Sequence, residues 1–217
     1  MSNNQIYDAI PEGYYYYAFK RGNSVQKFWH KQKFSEIINL MDLKNKKILD
    51  IGCGPGVLLS LLPEDYESAT GLDLSKKQIN FAKKQFKNLK KINWISKDFK
   101  EMDFKEKFDY IIIAEFLEHI TYQDSIDLLK KTKNLLAEDG KLIITTPNYK
   151  SFWPLIELVW NKMAKVSYED QHINPFTRSK MKKTLKETGF NNINIKTFFI
   201  ISPFTTILSK SIAKIIL

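Results

Sequence analysis

The sequence predicts a doubly wound α/β domain, a parallel sheet with helices on both faces. Three observations predict it. Short apolar runs alternate with segments of helical periodicity along most of the 217 residues. One run, Ile111-Ile112-Ile113, is apolar without alternation, as in a strand buried on both faces. A glycine-rich turn follows the first run directly, at Gly52, Gly54 and Gly56.

Taken in order, residues 47–52 are a short apolar run ending in glycine, the first strand, and residues 57–62 open a helix. Residues 67–72 are the second strand. Ser75 caps a helix over residues 76–87, with Ile79, Phe81, Ala82 and Phe86 as its apolar side. Residues 92–96 and 108–114 are strands, residues 123–137 a helix, Glu138-Asp139-Gly140 a turn, and residues 141–146 the next strand. Residues 177–188 form a helix stopped by Gly189, before a last strand at residues 193–201.

Two aromatic-rich segments stand outside the alternation. Residues 1–44, with Phe28-Trp29-His30 in a helical stretch, read as a lid or cap. Residues 147–176, with Trp153, Trp160 and Tyr168, read as a substrate-side insertion in the main domain, residues 45–217. Helices packed on the sheet are the other reading, because large aromatics also dominate cores.

The lone Cys53 excludes an intramolecular disulfide and multi-cysteine zinc sites. The polar start lacks an apolar signal core, and no apolar stretch is long enough to span a bilayer without a charge, so the expected compartment is the cytoplasm. A net charge of +10 suits nucleic acid or an acidic membrane surface; lysine-rich solvated faces are the plainer reading. In residues 203–217, Phe204, Ile207, Leu208, Ile212, Ile215 and Ile216 recur at helical spacing, with Lys210 and Lys214 apart from them. Such a basic amphipathic helix lies peripherally on the inner face of a membrane, or docks on the sheet or on a second subunit.

The turn Gly52-x-Gly54-x-Gly56 has the chemistry of a nucleotide site: a tight bend, bare backbone for a ligand, and free N–H groups at a helix start. Val57 breaks the G-x-G-x-x-G spacing of dehydrogenases. Asp73 ends the second strand, where an acid accepts from ribose hydroxyls; a helix-start acid before Ser75 is the alternative. Asp98 ends the third strand beside Phe99, placed for an adenine amino group and ring, or as an ordinary turn aspartate.

The segments Ile48-Leu49-Asp50-Ile51-Gly52-Cys53-Gly54-Pro55-Gly56, Gly71-Leu72-Asp73-Leu74-Ser75, Lys97-Asp98-Phe99 and Phe108-Asp109-Tyr110-Ile111 together resemble the class I S-adenosylmethionine (SAM) dependent methyltransferases. The later Gly140-Lys141-Leu142-Ile143-Ile144 fits the same pattern. The resemblance covers residues 47–146 and implies a Rossmann-like seven-stranded sheet whose last strand is antiparallel. It implies that Asp50 and the glycine loop hold the methionine part, Asp73 the ribose and Asp98 the adenine. Cys53, Leu74, Phe99 and Glu115 complete the expected cofactor set.

Glu115-x-x-Glu118-His119 follows the buried strand. A helical turn there puts Glu115, Glu118 and His119 on one face. With His172 they make a candidate site for a divalent metal such as Mg, or a metal-free carboxylate–imidazole pair. This pattern looks like the ubiquinone-pathway O-methyltransferases, and also like the small-RNA terminal 2′-O-methyltransferases, whose Thr-Pro-Asn segment is present at Thr146-Pro147-Asn148. His119, His172 and Glu118 are the candidate catalytic residues, an imidazole taking the proton from a hydroxyl acceptor. The Asn/Asp-Pro-Pro-Tyr motif of many amino-methylating enzymes is absent; Ala114-Glu115-Phe116-Leu117 stands in its place. The expected activity is methyl transfer to a small, lipophilic hydroxyl-bearing molecule. RNA methylation, or SAM binding by a catalytically silent partner protein, are the alternatives. The basic residues are spread over the chain without clustering, which disfavours nucleic acid.

Overall fold

The computed structural model describes residues 10–151, 154 and 172–197. Its strands are β1 (Lys47–Ile51), β2 (Ser68–Asp73), β3 (Ile92–Ser96), β4 (Phe108–Ala114) and β5 (Leu136–Thr145). Its helices are α1 (Tyr14–Arg21), α2 (Ser24–Asn39), α3 (Lys76–Gln85), α4 (Tyr122–Leu135) and α5 (Arg178–Glu187). The strands form one sheet in the order β3-β2-β1-β4-β5, and every pairing is parallel. The chain winds one way from β1 and the other way from β4. The crevice between the ends of β1 and β4 is therefore the switch point where ligands bind in such sheets.

Side-chain alternation divides the core into two layers. Ile48 and Ile112 point to the side that packs Ile37 of α2 with Ile79 and Ala82 of α3. Leu49, Ile51, Ile111 and Ile113 point to the side that packs Leu128 and Leu129 of α4 with Met181 and Leu185 of α5. Three helices start on a side-chain cap: Ser75 accepts from Gln78 N–H at 3.5 Å, Thr121 from Asp124 N–H at 3.1 Å and Thr177 from Lys180 N–H at 3.2 Å. Each cap satisfies an N–H that the helix itself leaves without a partner.

Two expectations are corrected and one is not confirmed. The sheet has five strands among the described residues, all parallel; the seven strands and antiparallel last strand that the resemblance implied are not confirmed there. Residues 193–197 carry no strand: Ile193 and Ile195 pack on the core without joining the ladder, and Ile193 N–H bonds Asn191 O locally. The rest of that expected strand lies outside the described residues.

Residues 57–62 form no α-helix, only a 3₁₀ turn at Leu59–Leu61. Pro63 drives Leu62 into an extended conformation, and too few residues remain for a helical nucleus. Finally, α4 stops at Leu135 and β5 begins at once. Leu136 pairs with Phe108 while Lys141 pairs with Tyr110, so the expected turn at Glu138-Asp139-Gly140 is a bulge within β5.

Both α1 and α2 fall in the expected N-terminal helical segment. Trp153, Trp160, Tyr168 and the tail of residues 203–217 lie outside the described residues. No described helix is long and apolar enough to cross a membrane.

Candidate active site

At the end of β1 the N–H groups of Gly52 and Cys53 both donate to Leu72 O, at 2.8 and 3.1 Å, which folds the loop toward β2. Asp73 then fixes the loop. Its Oδ2 accepts from Gly54 N–H and its Oδ1 from Ser75 N–H, both at 2.8 Å. The helix-start role and the loop-facing position of Asp73 are therefore one arrangement.

Bare backbone is scarcer than the three glycines suggested. A Cβ on Gly52 would lie 2.6 Å from the Phe116 ring, and one on Gly56 would lie 2.4 Å from Trp94. Of the three, only Gly54, at φ +52, has nothing within 4 Å among the described residues. Two of the glycines make room for the protein's own rings, and the third leaves an open approach.

Asp50 is 2% exposed. Its carboxyl is pushed up to about 7, first by burial, then by the nearby Asp73 charge, against the pull of Lys33. Burial also raises Asp73, opposed by its two backbone N–H partners, and raises the Cys53 thiol well above its usual range. Lys33 was not anticipated. It sits on α2, only 8% exposed, and its charge acts on both Asp50 and Glu118. The sequence of α2 carries no clean apolar stripe, so nothing in it marked the face that carries Lys33 and Ile37 as inward.

At the third strand end, Asp98 Oδ1 accepts from Lys100 N–H at 2.8 Å and caps the turn Phe99–Glu101, as a turn aspartate does. Phe99 meets Phe116 edge to face, centroids 5.7 Å apart. Leu74 is exposed at the tip of β2.

The second constellation assembles differently from expectation. Glu115 adopts φ +51, and its N–H donates to Thr145 O at 2.9 Å. A 3₁₀ turn, Leu117–His119, follows. Glu115, Glu118 and His119 thus share no helical face, because the left-handed residue turns the chain off β4 before any helix starts. Candidate ligand atoms of Glu118, His119 and His172 lie within 4.8 Å of one another, and Glu115 is not in that group. The rings of His119 and His172 are 5.0 Å apart.

The segment after the insertion delivers His172. Asn148 bridges Phe176 in parallel, and Tyr149 N–H donates to Phe176 O at 2.9 Å. Tyr149 Oη lies 2.7 Å from His172 Nδ1. Buried Asn174 donates its backbone N–H to Glu118 O at 3.1 Å and its side-chain amide to Leu117 O and Ser125 Oγ. Tyr149 and Asn174 went unnoticed in the sequence, since neither belongs to a spaced motif.

Glu118 is fully buried. Its Oε2 accepts from Thr146 Oγ1 at 3.0 Å, while Oε1 has no hydrogen-bond partner among the described residues. Burial first, and then neighbouring Glu115, hold its carboxyl well above the usual range. An unpartnered buried carboxylate oxygen is expensive, and a ligand at the site would relieve it.

The chain matches the family model described as a methyltransferase domain over residues 26–195. It is 38% identical over 107 residues to a ubiquinone biosynthesis O-methyltransferase of Pelagibacter ubique, covering 49% of this chain and 44% of that protein. It is likewise 38% identical over 97 residues to ribosomal RNA small subunit methyltransferase A of Mesomycoplasma hyopneumoniae, covering 44% of this chain and 37% of that one. The chain thus spans about half the length, or less, of these curated relatives. The fold is similar to magnesium protoporphyrin IX methyltransferase of Synechocystis PCC 6803 with bound SAM. There the TM-score is 0.66 at 16% identity, with 92% of this chain and 93% of that one covered. The matched span takes in the glycine loop, the strand-end carboxylates and the Glu118 cluster, and over it the chain belongs to the SAM-dependent methyltransferase family.

Proposed function

We propose that the protein transfers the methyl group of SAM to a hydroxyl oxygen of a small, lipophilic acceptor. The observation that carries this reading is the Glu118–His119–His172 cluster, set beyond β4 at the switch point, with Glu118 Oε1 lacking a partner. Similarity to ubiquinone biosynthesis O-methyltransferases supports the oxygen acceptor.

In this reading the Gly54 backbone faces the cofactor, Asp50 meets the cationic methionine end and Lys33 its carboxylate. Asp73 reaches the ribose through lone pairs left over from its two backbone bonds, and Asp98 and Phe99 border the adenine. The sulfonium is already a good leaving group, so positioning the acceptor oxygen supplies much of the rate. His172 removes the hydroxyl proton at Nε2. That requires Nδ1–H to donate to Tyr149 Oη, and the 2.7 Å contact accommodates it.

The cluster also fits a divalent cation: three donor atoms converge, and one carboxylate oxygen lacks a partner. Two imidazoles and one carboxylate suit Mn²⁺, Fe²⁺ or Zn²⁺ better than Mg²⁺, which prefers oxygen ligands. Bound there by Glu118, His119 and His172, such an ion would supply Lewis acidity toward the acceptor oxygen in place of His172 as the base, because Nε2 can either ligate or accept the proton.

A second reading, RNA methylation, is favoured by the net charge of +10 and the similarity to a ribosomal RNA methyltransferase. Titration with SAM, followed by transfer of labelled methyl to a prenylated catechol or to RNA, tests both. Label on the catechol is expected, and His172→Ala should lower kcat roughly 100-fold or more with SAM affinity unchanged. Label on RNA alone, with strongly salt-dependent binding, would overturn the small-acceptor reading. Binding without turnover on either would point to a silent partner protein.

A further inference from the structure

Helix α2 carries two functional faces. Lys33 and Ile37 turn inward, toward the charged site and the core. Lys27, Lys31, Phe34 and Ile38 line an outer groove of about 450 Å³, closed on its other side by Phe19 and Lys20 of α1 and floored by Leu61. These positions step i, i+4, i+7 and i+11 along one stripe, which begins basic and ends apolar.

The lining of the groove fits an anionic amphiphile. Lys20, Lys27 and Lys31 are exposed, and none has an ion-pair partner among the described residues. Among the described residues no acid lines the groove. Lys27 and Lys31 stand one turn apart, where like charges repel unless an anion lies between them. Phe19, Phe34 and Leu61 offer apolar surface in the same groove as those charges. From Lys27 to Ile38 the stripe rises roughly 16 Å. That matches the ~15 Å of hydrocarbon in one bilayer leaflet.

We propose that this groove docks the protein on a bilayer by seating one acyl chain of an anionic phospholipid, with the phosphate held by Lys20, Lys27 and Lys31. The site is separate from the cofactor crevice, and it holds whichever acceptor is methylated.

Sedimentation with phosphatidylcholine vesicles, with and without a third of phosphatidylglycerol, tests it on the full chain. Binding only to the anionic vesicles is expected. The triple variant Lys20→Gln, Lys27→Gln, Lys31→Gln should bind them about 30-fold or more weakly, while its SAM titration, unchanged from wild type, shows the fold intact. Soluble dihexanoyl phosphatidylglycerol should compete with the vesicles, and glycerol phosphate should not, because the floor requires the chain. Vesicle binding that survives the triple substitution would overturn the proposal, placing the membrane contact elsewhere. So would equal competition by glycerol phosphate, or loss of RNA binding alone in the triple variant.

Discussion

Asp50 keeps its carboxyl where water cannot reach it, and under the proposed function its titration links stability to cofactor binding. Its folded value is about 7 against 3.8 for the free side chain. The folded state therefore holds the extra proton between those values, and stability falls as pH rises through that window. Asp50→Asn is expected to leave stability nearly unchanged at the acid end. At pH 8 it should raise stability by ~1–4 kcal/mol, as read from urea melts at both pH values. A cation beside Asp50 favours the ionised form. SAM affinity should thus rise with pH around 7 in the wild type and stay flat in the variant. A residue that weakens the empty protein in this way is better explained by its ligand than by the fold. At the second constellation, Tyr149 holds the His172 ring by one hydrogen bond. Tyr149→Phe should lower kcat while leaving SAM affinity unchanged, and a parallel loss of both in titration and turnover assays would give Tyr149 a structural role instead.

At the scale of elements, the loop after β1 sets two otherwise similar glycines apart. Gly54→Ala meets no atom within 4 Å, and its left-handed φ of +52 is the only structural strain. About 1–2 kcal/mol of destabilisation is expected, with a folded protein whose SAM affinity drops at least tenfold because the added methyl fills the open approach. Gly52→Ala collides with Phe116 at 2.6 Å and should lose far more stability. Circular dichroism melts with SAM titrations on both variants separate the two effects; equal affinity in Gly54→Ala and wild type would remove Gly54 from the cofactor path. The turn Leu117–His119 depends in a similar way on a remote element, because Asn174 holds two of its carbonyls.

At the scale of the molecule, the sheet is the rigid support on which both constellations sit. Ile112 is fully buried and lies at the centre of one core layer. Ile112→Ala should destabilise the whole domain by about 2–5 kcal/mol. The loss should appear as a lower Tm with an unchanged denaturant slope, and the remaining folded protein should bind SAM normally. A left-handed Glu115 and a 3₁₀ turn in place of a helix put the candidate catalytic groups on the less regular part of the structure.

The alternation of apolar runs, the capping residue Ser75 and the isoleucine run of β4 are local signals, and they were legible because local sterics and burial act over a few residues. The same holds for Gly52-x-Gly54-x-Gly56 with Asp73, a motif held within one strand–loop–strand unit. What the sequence did not carry depends on distant chain segments meeting. Lys33 enters the site only because α2 packs on the sheet. His172 reaches Glu118 only because residues 172–176 run beside Asn148 and Tyr149. Glu115 leaves the expected metal group because its backbone turns left-handed against β5. The pairing of residues 193–197 belongs with these, since an apolar segment can bury its side chains without a strand partner. Spacing fixes which side chains are neighbours along one element. Only packing between elements decides which buried charges face each other across a crevice.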